Sequence, residues 1–304
     1  MTFTFTPAAS VPLAAIVRAI NLVYPDGHDT VEGYAAQTTA GSIDLARSVV
    51  ALDEHGEVAG IAMLGVRGTR GWCGDAAVVP QYQNQKLGQE LMRRLSNSAR
   101  AAGLRTLQLE TRDDNAPARR VYEKEGYAYT RRMPCYAASL DGRGQAPSLQ
   151  GWLDAPLRHG ITITRAPDEA TMHAALLRWY DTRFAPPPCW ERELPSLLAY
   201  RRQSAWTATR PEGFLKPFGS AEREIAFLLC DAAQDGKMLH VHHLALTADA
   251  TPDDVRALCA TALRDTGIET LRIGLEPMDS RVAVMFREFG FTLVKDLWEM
   301  VKVL

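Results

Sequence analysis

The chain has 304 residues, of which 46% are hydrophobic and 23% are charged. This composition excludes disorder as the main state, because so much apolar material can form the cores of two domains. Its 34 Lys and Arg residues nearly balance its 36 Asp and Glu residues, for a formal net charge of -2. We therefore predict neither nucleic acid nor a membrane surface as a partner, because bulk electrostatic attraction to either is lacking.

The cysteines and the first residues predict a cytoplasmic protein. The chain has five cysteines, an odd number, without a C-x-x-C pair, so a disulfide framework is not expected. The amino terminus lacks the basic region of a signal peptide. No apolar run reaches the roughly 18 residues that span a bilayer.

Helical and strand patterns alternate along the first 140 residues. An apolar stripe predicts a helix over 12–24, a second helix begins near Leu87, and a third spans 115–125, ending before Gly126. Alternating or continuous apolar runs predict strands at 48–52, 58–66, 72–79, 106–111 and 127–138. Strands separated by helices in this order predict an α/β (α+β) fold around a mixed sheet.

The two halves of the chain resemble each other. Residues 103–127 align with 267–291 without a gap, and both the first glycine and the glycine-aromatic pair at the end recur. A strand at 240–246 and a helix at 254–263 precede the second copy. We predict two tandem copies of one fold: a domain at 1–140, a Gly- and Pro-containing linker at 141–160, and a second domain at 161–304.

The segment from Val78 to Leu91 combines a strand end, Pro80, a polar turn and a helix start. A helix amino terminus presents free backbone N–H groups and the positive end of the helix dipole, so this turn can bind an anion. A plain strand-to-helix connection is the alternative that this segment alone leaves open.

The segment 109–127 contains the other candidate residues. Asn115 is a plausible amino-terminal cap, and Tyr122 lies on an apolar helical face with Ala118 and Val121. Glu110 alternates with Leu109 and Thr111, so it points to the opposite face of its strand. On these patterns alone, Tyr122 could be a core aromatic residue and Glu110 a solvated strand residue.

Together the two segments resemble the GNAT superfamily of acetyl-CoA-dependent N-acyltransferases. The family's phosphate loop, V-x-P-x-Y-[QR]-x-x-G-x-[GA], matches at Val78, Pro80, Tyr82, Gln83 and Gly88. Its second signature, L-E-x-R-x-x-N-x-x-A-x-x-x-Y-x-x-x-G-[FY], matches at Leu109, Glu110, Arg112, Asn115, Ala118, Tyr122, Gly126 and Tyr127. This second match resembles most closely the branch that acetylates amino termini of ribosomal proteins.

The resemblance implies two tandem GNAT-like domains and acetyl-CoA as co-substrate, bound in the first domain. No metal is expected, because His240 and His242 share a strand face but no third ligand is identifiable. The coenzyme-binding residues implied by the resemblance are Val78, Val79, Gln83, Asn84, Gln85, Lys86, Leu87, Gly88, Gln89, Asn115, Ala118, Arg119 and Tyr122.

The resemblance also implies the catalytic roles. The acceptor amine must be neutral to attack a thioester, and Glu110 is the best candidate base, directly or through a water, with Asp75 as the alternative. The backbone N–H near Val78 would polarise the thioester carbonyl. Tyr122 would protonate the departing thiolate or donate a hydrogen bond to it, since full transfer is uphill by about 2 kcal/mol.

One residue departs from the family pattern. Lys86 occupies the position of the first glycine of the phosphate loop, where the backbone approaches the ligand or takes a positive φ. A lysine ammonium beside a pyrophosphate is nevertheless electrostatically favourable. We expect coenzyme binding to survive with reduced affinity.

The second copy lacks the functional residues. Its loop region, 244–255, has no Gln/Arg-x-x-Gly-x-Gly, and Asp249, Asp253 and Asp254 crowd the helix start, where they would repel phosphate. Phe286 stands at the position of Tyr122, and Asp279 at that of Asn115. We predict that this half has lost catalysis, which leaves open a structural role, a wall of the acceptor site, or an oligomer interface such as that of a homodimer.

The leading hypothesis is an N-acetyltransferase that moves an acetyl group from acetyl-CoA to a primary amine. The acceptor is either a small metabolite or a peptide amino terminus. The alternative is a non-catalytic acyl-CoA-binding or scaffold protein whose phosphate loop is disabled by Lys86. Retention of both Glu110 and Tyr122 argues against this alternative, because a protein that only binds has no need of that pair.

Overall fold

A computed structural model describes residues 2–24, 29–139, 149–154, 160–180, 188–200, 203–211, 222–233 and 236–304. The chain forms two compact units. Unit 1 comprises Met1–Arg132, Cys189–Tyr200 and Leu297–Leu304. Unit 2 comprises Met133–Pro188 and Arg201–Asp296.

The strands in chain order are β1 Thr4–Pro7, β2 Val49–Leu52, β3 Val58–Arg67, β4 Arg70–Val78, β5 Thr106–Arg112, β6 Ala128–Arg132, β7 Cys135–Ser139, β8 Thr162–Arg165, β9 Gln203–Pro211, β10 Glu222–Ala232, β11 Met238–Leu246, β12 Thr270–Ile273, β13 Thr292–Lys295 and β14 Leu297–Val303. The α-helices are α1 Leu13–Val23, α2 Val31–Ala40, α3 Leu87–Ala101, α4 Ala116–Lys124, α5 Gln150–Asp154, α6 Glu169–Trp179, α7 Leu194–Ala199, α8 Pro252–Thr266 and α9 Arg281–Glu288.

Unit 1 is a seven-stranded mixed sheet in the order β1-β2-β3-β4-β5-β14-β6. Helices α1 and α3 both contact β3. The apolar stripe predicted for the first helix is buried at Ile16, Val17 and Ile20. That of α3 is buried from Leu87 to Ala99, as its spacing indicates. The helix–sheet layering predicted for the first half is confirmed.

Unit 2 repeats this arrangement with the order β13-β7-β12-β11-β10-β9-β8. The glycines shared by the two copies explain why the alignment has no gap. Gly103 and Gly267 take φ of 75° and 68°, and Gly126 and Gly290 take φ of 84° and 83°. Each lies just beyond a helix, where the left-handed conformation favours glycine. The predicted duplication therefore corresponds to a repeated fold.

The two units are made of different residue ranges from those of the predicted domains. The single strand predicted at 127–138 is two strands, β6 in unit 1 and β7 in unit 2, and they are separated by Met133 and Pro134. Conversely, β14 from the chain end fills the sheet position between β5 and β6 in unit 1. Each sheet thus contains a strand that the boundaries 1–140 and 161–304 assign to the other half.

The predicted linker at 141–160 lies partly outside the described residues, at 141–148 and 155–159. Between these ranges the chain forms α5, which contacts α8 of unit 2. Leu149, just before α5, is buried in the core of that unit. This part of the predicted linker is therefore a packed element of unit 2.

Candidate active site

Strands β4 and β5 of unit 1 run parallel and then separate. They pair only from Arg70 to Trp72 on β4, opposite 106–108 on β5. On its other side, β4 carries a bulge at Gly74, because Met63 of β3 pairs with Asp75 and Leu64 pairs with Cys73. A bulge bends its strand away from the regular ladder. The two strands therefore leave a cleft between them beyond residues 72 and 108.

The backbone of Val78 faces this cleft. The Val79 N–H donates a hydrogen bond of 3.0 Å to the carbonyl of Ala59 on β3. Successive residues of a strand direct their N–H groups to opposite sides. The N–H of Val78 therefore points away from β3, toward the side on which β5 has diverged, where it can donate to a ligand oxygen.

Glu110 lies on β5 beside the cleft. Its Oε2 accepts a hydrogen bond of 2.6 Å from Nε1 of Trp72, and its Oε1 is buried without a hydrogen-bond partner among the described residues. Burial, chiefly, and the charge of Glu191 raise the pKa of this carboxyl to about 8. The Trp72 hydrogen bond opposes this effect by lowering the pKa. A carboxyl in this state can exchange a proton near neutral pH.

Asp75, the alternative base, is held from another element. Its Oδ2 accepts a hydrogen bond of 2.9 Å from the hydroxyl of Tyr34 on α2. Burial raises the pKa of Asp75 to about 6, against the lowering effect of the Tyr34 hydrogen bond. Asp75 and Glu110 both interact electrostatically with the buried thiol of Cys73, whose own pKa burial raises. The cleft therefore contains two carboxyls with raised pKa values.

Tyr122 approaches the same region from α4. Its ring is buried and lies 5.9 Å from that of Tyr127. Burial raises the pKa of its phenol, and the charges of Cys73, Tyr24 and Asp75 add to the effect. The hydroxyl is therefore protonated at neutral pH and available as a donor. No hydrogen bond joins the side chains of Tyr122 and Glu110 within the described chain, which is compatible with separate roles.

The turn after β4 is held by two side chains. Tyr82, buried against Phe3, donates a hydrogen bond of 2.5 Å to Asp53 Oδ2. Gln83 Nε2 donates 3.1 Å to the carbonyl of Val78. This turn connects the cleft-facing end of β4 to the predicted loop residues, which are Gln83, Asn84, Gln85 and Lys86.

Lys86 takes the backbone conformation that glycine would provide. Its φ is 62° and its ψ is 8°, in the left-handed region, and Asn84 likewise has φ of 60°. For a residue with a Cβ this conformation costs about 1–2 kcal/mol. The lysine thus takes the positive φ that glycine adopts without strain, and it does so at this energetic cost.

Helix α3 begins directly after Lys86. The first N–H that bonds within the helix is that of Glu90, which donates to the carbonyl of Lys86. No side chain caps the helix. The N–H groups of Leu87, Gly88 and Gln89 therefore have no carbonyl partner within the helix, and a helix terminus of this kind can bind an anion. The side chain of Gln89 points elsewhere, since it donates 3.0 Å to Glu125.

The helix that carries Tyr122 begins as predicted. Asn115 is its amino-terminal cap, and the side-chain oxygen of Asn115 accepts from the N–H of Ala118 at 3.3 Å. Arg119 pairs with Asp113 at 2.8 Å. These contacts give Asn115 and Arg119 structural roles at the helix start, and their predicted part in coenzyme binding stays a prediction.

In unit 2, the positions that correspond to the candidate site of unit 1 carry residues with structural roles. Thr251 and Asp254 form a capping box at the start of α8, and the fully buried Asp254 also pairs with Arg210. Gly274, aligned with Glu110, has no space for a side chain, since a Cβ there would lie 2.6 Å from Cys135 Sγ. Phe286, aligned with Tyr122, is fully buried. These residues therefore do not form an anion site or a catalytic pair like those predicted for unit 1.

Sequence reasoning missed several residues around Glu110. Trp72 was part of a predicted strand with no assigned role, and Tyr34 lies on α2, whose sequence lacks an apolar stripe. The segment Cys189–Tyr200, defined here as the 189–200 segment, packs in unit 1, and its Trp190 ring stacks on Trp72 with centroids 5.8 Å apart. Only the buried tryptophans themselves were a signal, and their partners are distant in sequence.

Two further properties concern the described ranges only. Within them, no group of three or more His, Cys, Asp or Glu side chains is arranged to hold a metal ion. None of the helices in these ranges has the length and apolar character needed to cross a lipid bilayer.

Known proteins resemble this chain at two levels. The model of the acetyltransferase (GNAT) family matches residues 15–127. The [ribosomal protein bS18]-alanine N-acetyltransferase of Escherichia coli (strain K12) is 34% identical over 95 residues, 31% of this chain and 64% of that protein. The streptothricin acetyltransferase of Streptomyces lavendulae is 32% identical over 106 residues, 34% of this chain and 52% of that protein. The chain thus spans about half to two thirds of these curated relatives.

Solved structures match nearly the whole chain. A tandem GNAT protein from the clavulanic acid biosynthesis pathway has a TM-score of 0.68 at 12% identity, covering 99% of this chain and 98% of that one. A GCN5-related N-acetyltransferase from Sphaerobacter thermophilus has a TM-score of 0.64 at 18% identity, covering 99% and 95%. At such identities the likeness concerns the fold. Residues 15–127 therefore match the acetyltransferase (GNAT) family in sequence, and the chain as a whole is similar in fold to tandem GNAT proteins.

Proposed function

We propose that this protein is an acetyl-CoA-dependent N-acetyltransferase with one active site, in unit 1. Glu110 acts as the base for a primary amine acceptor, and Tyr122 acts on the leaving thiolate. The observation that carries this proposal is the state of Glu110, whose buried Oε1 lacks a hydrogen-bond partner among the described residues and whose pKa is about 8. Buried carboxyl oxygens are usually hydrogen-bonded, so an unpartnered oxygen beside the cleft is one that a substrate or a water can engage.

The pKa of Glu110 suits the proton transfer that the reaction requires. An α-ammonium group has a pKa of about 8, so its proton passes to Glu110 almost without cost. A lysine-like ammonium, with a pKa of about 10.4, gives up its proton to the same base at a cost of about 3 kcal/mol. The proton match therefore favours an α-amine over a lysine-like amine, whether the acceptor is a peptide amino terminus or a small metabolite.

The remaining groups of the cleft would bind the coenzyme. The N–H groups of Leu87, Gly88 and Gln89 would hold its pyrophosphate, with the loop of Gln83 to Lys86 around it. The N–H of Val78 would donate to the thioester carbonyl, where negative charge develops as the amine attacks. The Tyr122 hydroxyl would donate to the thiolate sulfur as it leaves. Acetyl-CoA supplies the acyl group, and no metal enters the scheme.

The relatives support an amine acceptor without deciding its size. One is named for the alanine of a ribosomal protein and the other for streptothricin. We propose that the acceptor of this chain belongs to the same broad class of primary amines. A cytoplasmic location agrees with such substrates and with a reduced state of the five cysteines.

The scaffold alternative rests on Lys86, whose strained conformation stands where the family has glycine. Calorimetric titration with acetyl-CoA separates the two functions. Micromolar binding by the wild type that weakens in Gln83→Ala would support the enzyme and justify a screen of amine acceptors with Glu110→Gln as control. Absence of binding by the wild type, with binding restored in Lys86→Gly, would mean that the loop is disabled and would favour the scaffold.

A further inference from the structure

The 189–200 segment comes from the second half of the chain but is fixed to unit 1. Trp190 is fully buried, and its Nε1 donates a hydrogen bond of 2.8 Å to the carbonyl of Gly41. Ser196 donates 2.9 Å to the carbonyl of Ala40. The guanidinium of Arg67 lies 4.3 Å from the centroid of the Trp190 ring and donates 2.7 Å to its carbonyl. These contacts tie the segment to the end of α2 and to β3.

An ion pair adds a third attachment. Glu193 is 3.2 Å from Arg67 and 2.6 Å from Arg70, on the adjacent ends of β3 and β4. The Glu193 carboxylate and the Arg67 guanidinium are largely buried. Buried, hydrogen-bonded ion pairs of this kind fix geometry, because each charge requires its partner. The segment therefore has a defined position relative to β4.

That position confines the ring of Trp72. The rings of Trp72 and Trp190 are nearly parallel, with an interplanar angle of 11°. A Cβ added at Gly65 would lie 3.2 Å from Trp72 and 3.3 Å from Trp190, and one at Gly74 only 2.6 Å from Trp72. With the stacked ring on one face and close-packed backbone beside it, Trp72 can hardly rotate. Its N–H stays directed at Glu110.

Charged groups from three elements interact with the Glu110 carboxyl. Glu191 of the 189–200 segment and Glu299 of β14 raise its pKa, and Arg131 of β6 lowers it. Two thiols also interact electrostatically with the Glu110 carboxyl. They are those of Cys73 on β4 and of Cys189 at the start of the segment. The segment is thus the source of two neighbours of Glu110, one of them a carboxyl.

We propose that the 189–200 segment positions the base of unit 1, because Trp190 stacks on Trp72 and keeps the indole N–H of Trp72 directed at Glu110. The proposal rests on the proposed function, in which Glu110 takes a proton from the acceptor. Trp190 is a positioning residue, because it acts on Glu110 through Trp72. The second half of the chain would thereby contribute to the active site of the first.

Fluorine NMR of the full chain labelled with 5-fluorotryptophan tests this without an activity assay. The Trp72 resonance is assigned by its loss in Trp72→Phe. We expect its chemical shift to follow pH with a midpoint near 8 and to stop titrating in Glu110→Gln.

Trp190→Ala should abolish or halve the titration of the Trp72 resonance, and Trp190→Phe, which retains a stacking ring, should restore it. Trp206→Phe is the matched control, since Trp206 is equally buried and donates to a carboxylate, Asp265, in unit 2. If Trp190→Ala does not fold, Trp190→Leu, which keeps most of the buried volume but not the stacked ring, takes its place. A Trp72 resonance that titrates in these variants as it does in the wild type would overturn the proposal. Failure to bind acetyl-CoA with the titration intact would instead count against the proposed function.

Discussion

The indole nitrogen of Trp72 and Oε2 of Glu110 are joined by a hydrogen bond of 2.6 Å across two strands that separate just beyond it. The bond stabilises the ionised carboxylate, whereas burial and nearby acidic groups stabilise the protonated acid. The balance leaves Glu110 with a pKa near that of an amino terminus. This pKa underlies the predictions about Glu110.

Glu110 should reduce the stability of the protein at high pH. Its pKa is raised from about 4.5 in the unfolded chain to about 8, so the stability it contributes is present at low pH and is lost as pH rises through 8. In Glu110→Gln this loss is absent. The free energy of unfolding of the variant, measured in urea relative to the wild type, should therefore increase by about 3 kcal/mol between pH 5.5 and pH 9.

Glu90→Gln is the control, because folding lowers the pKa of Glu90 whereas it raises that of Glu110. Its hydrogen bonds with Arg93 and Arg94 lower the pKa of Glu90, so its contribution is fully present above the unfolded pKa. The variant should lose under about 1 kcal/mol, equally at pH 5.5 and pH 9. A Glu110→Gln variant whose stability relative to the wild type is independent of pH would contradict the raised pKa.

Tyr122→Phe should lower kcat about 100-fold while leaving acetyl-CoA binding within a few-fold of the wild type. The substitution keeps the buried ring and removes only the proposed donor to the thiolate. Tyr127→Phe is the matched control, because that ring is also buried and packs against Tyr122. Steady-state kinetics and calorimetry check this prediction, and an unchanged kcat in Tyr122→Phe would exclude the assigned role.

Lys86→Gly should relieve the strain in the phosphate loop. The left-handed conformation of Lys86 costs about 1–2 kcal/mol, part of which the greater unfolded-state freedom of glycine offsets. We expect the free energy of unfolding to rise by about 0.5–1 kcal/mol. Asn84→Gly, at a position with the same sign of φ, should gain less, because asparagine tolerates this region. Urea unfolding of both variants gives the comparison, and a loss of stability in Lys86→Gly would refute the strain.

Gly74→Ala should disturb the Trp72 indole. The new Cβ would lie 2.6 Å from the ring, closer than such atoms approach, so either the ring or the bulge must move. We expect a loss of about 1–3 kcal/mol in stability and a change in tryptophan fluorescence. Gly88→Ala is the contrast for stability, since a Cβ at this position in α3 would make only an ordinary contact of 3.7 Å, with the side chain of Val78. Equal effects of the two substitutions would mean that Gly74 does not hold the ring.

Much of unit 1 could be predicted because its signals are local. The apolar stripes of α1 and α3, the Asn115 cap and the glycines after the helices are each determined within a few residues. The strand arrangement could not be predicted, because β6 and β7 read as one run and only tertiary pairing separates them into two sheets. The pairing of β14 with β5 could not be predicted for the same reason, because it also depends on tertiary contacts.

The candidate site likewise has one part that the sequence predicts and one part that it does not. Glu110, Tyr122 and the loop from Val78 to Gln89 are found through motif spacing. Their environment depends on residues far apart in the chain. The Trp72 hydrogen bond spans β4 and β5, and the stack on Trp190 joins positions more than a hundred residues apart, so periodicity carried no sign of either.

If Glu110 is the base of an acetyl transfer, its ionisation will control the pH dependence of thiol release from acetyl-CoA in the presence of an α-amine acceptor. The reaction requires the ionised carboxylate, so kcat/KM should rise with pH through an apparent pKa of about 8. Glu110→Gln should lower it by about 100-fold or more and remove this limb. A limb near pH 6 that disappears in Asp75→Asn, with full activity in Glu110→Gln, would assign the base to Asp75 and contradict the account.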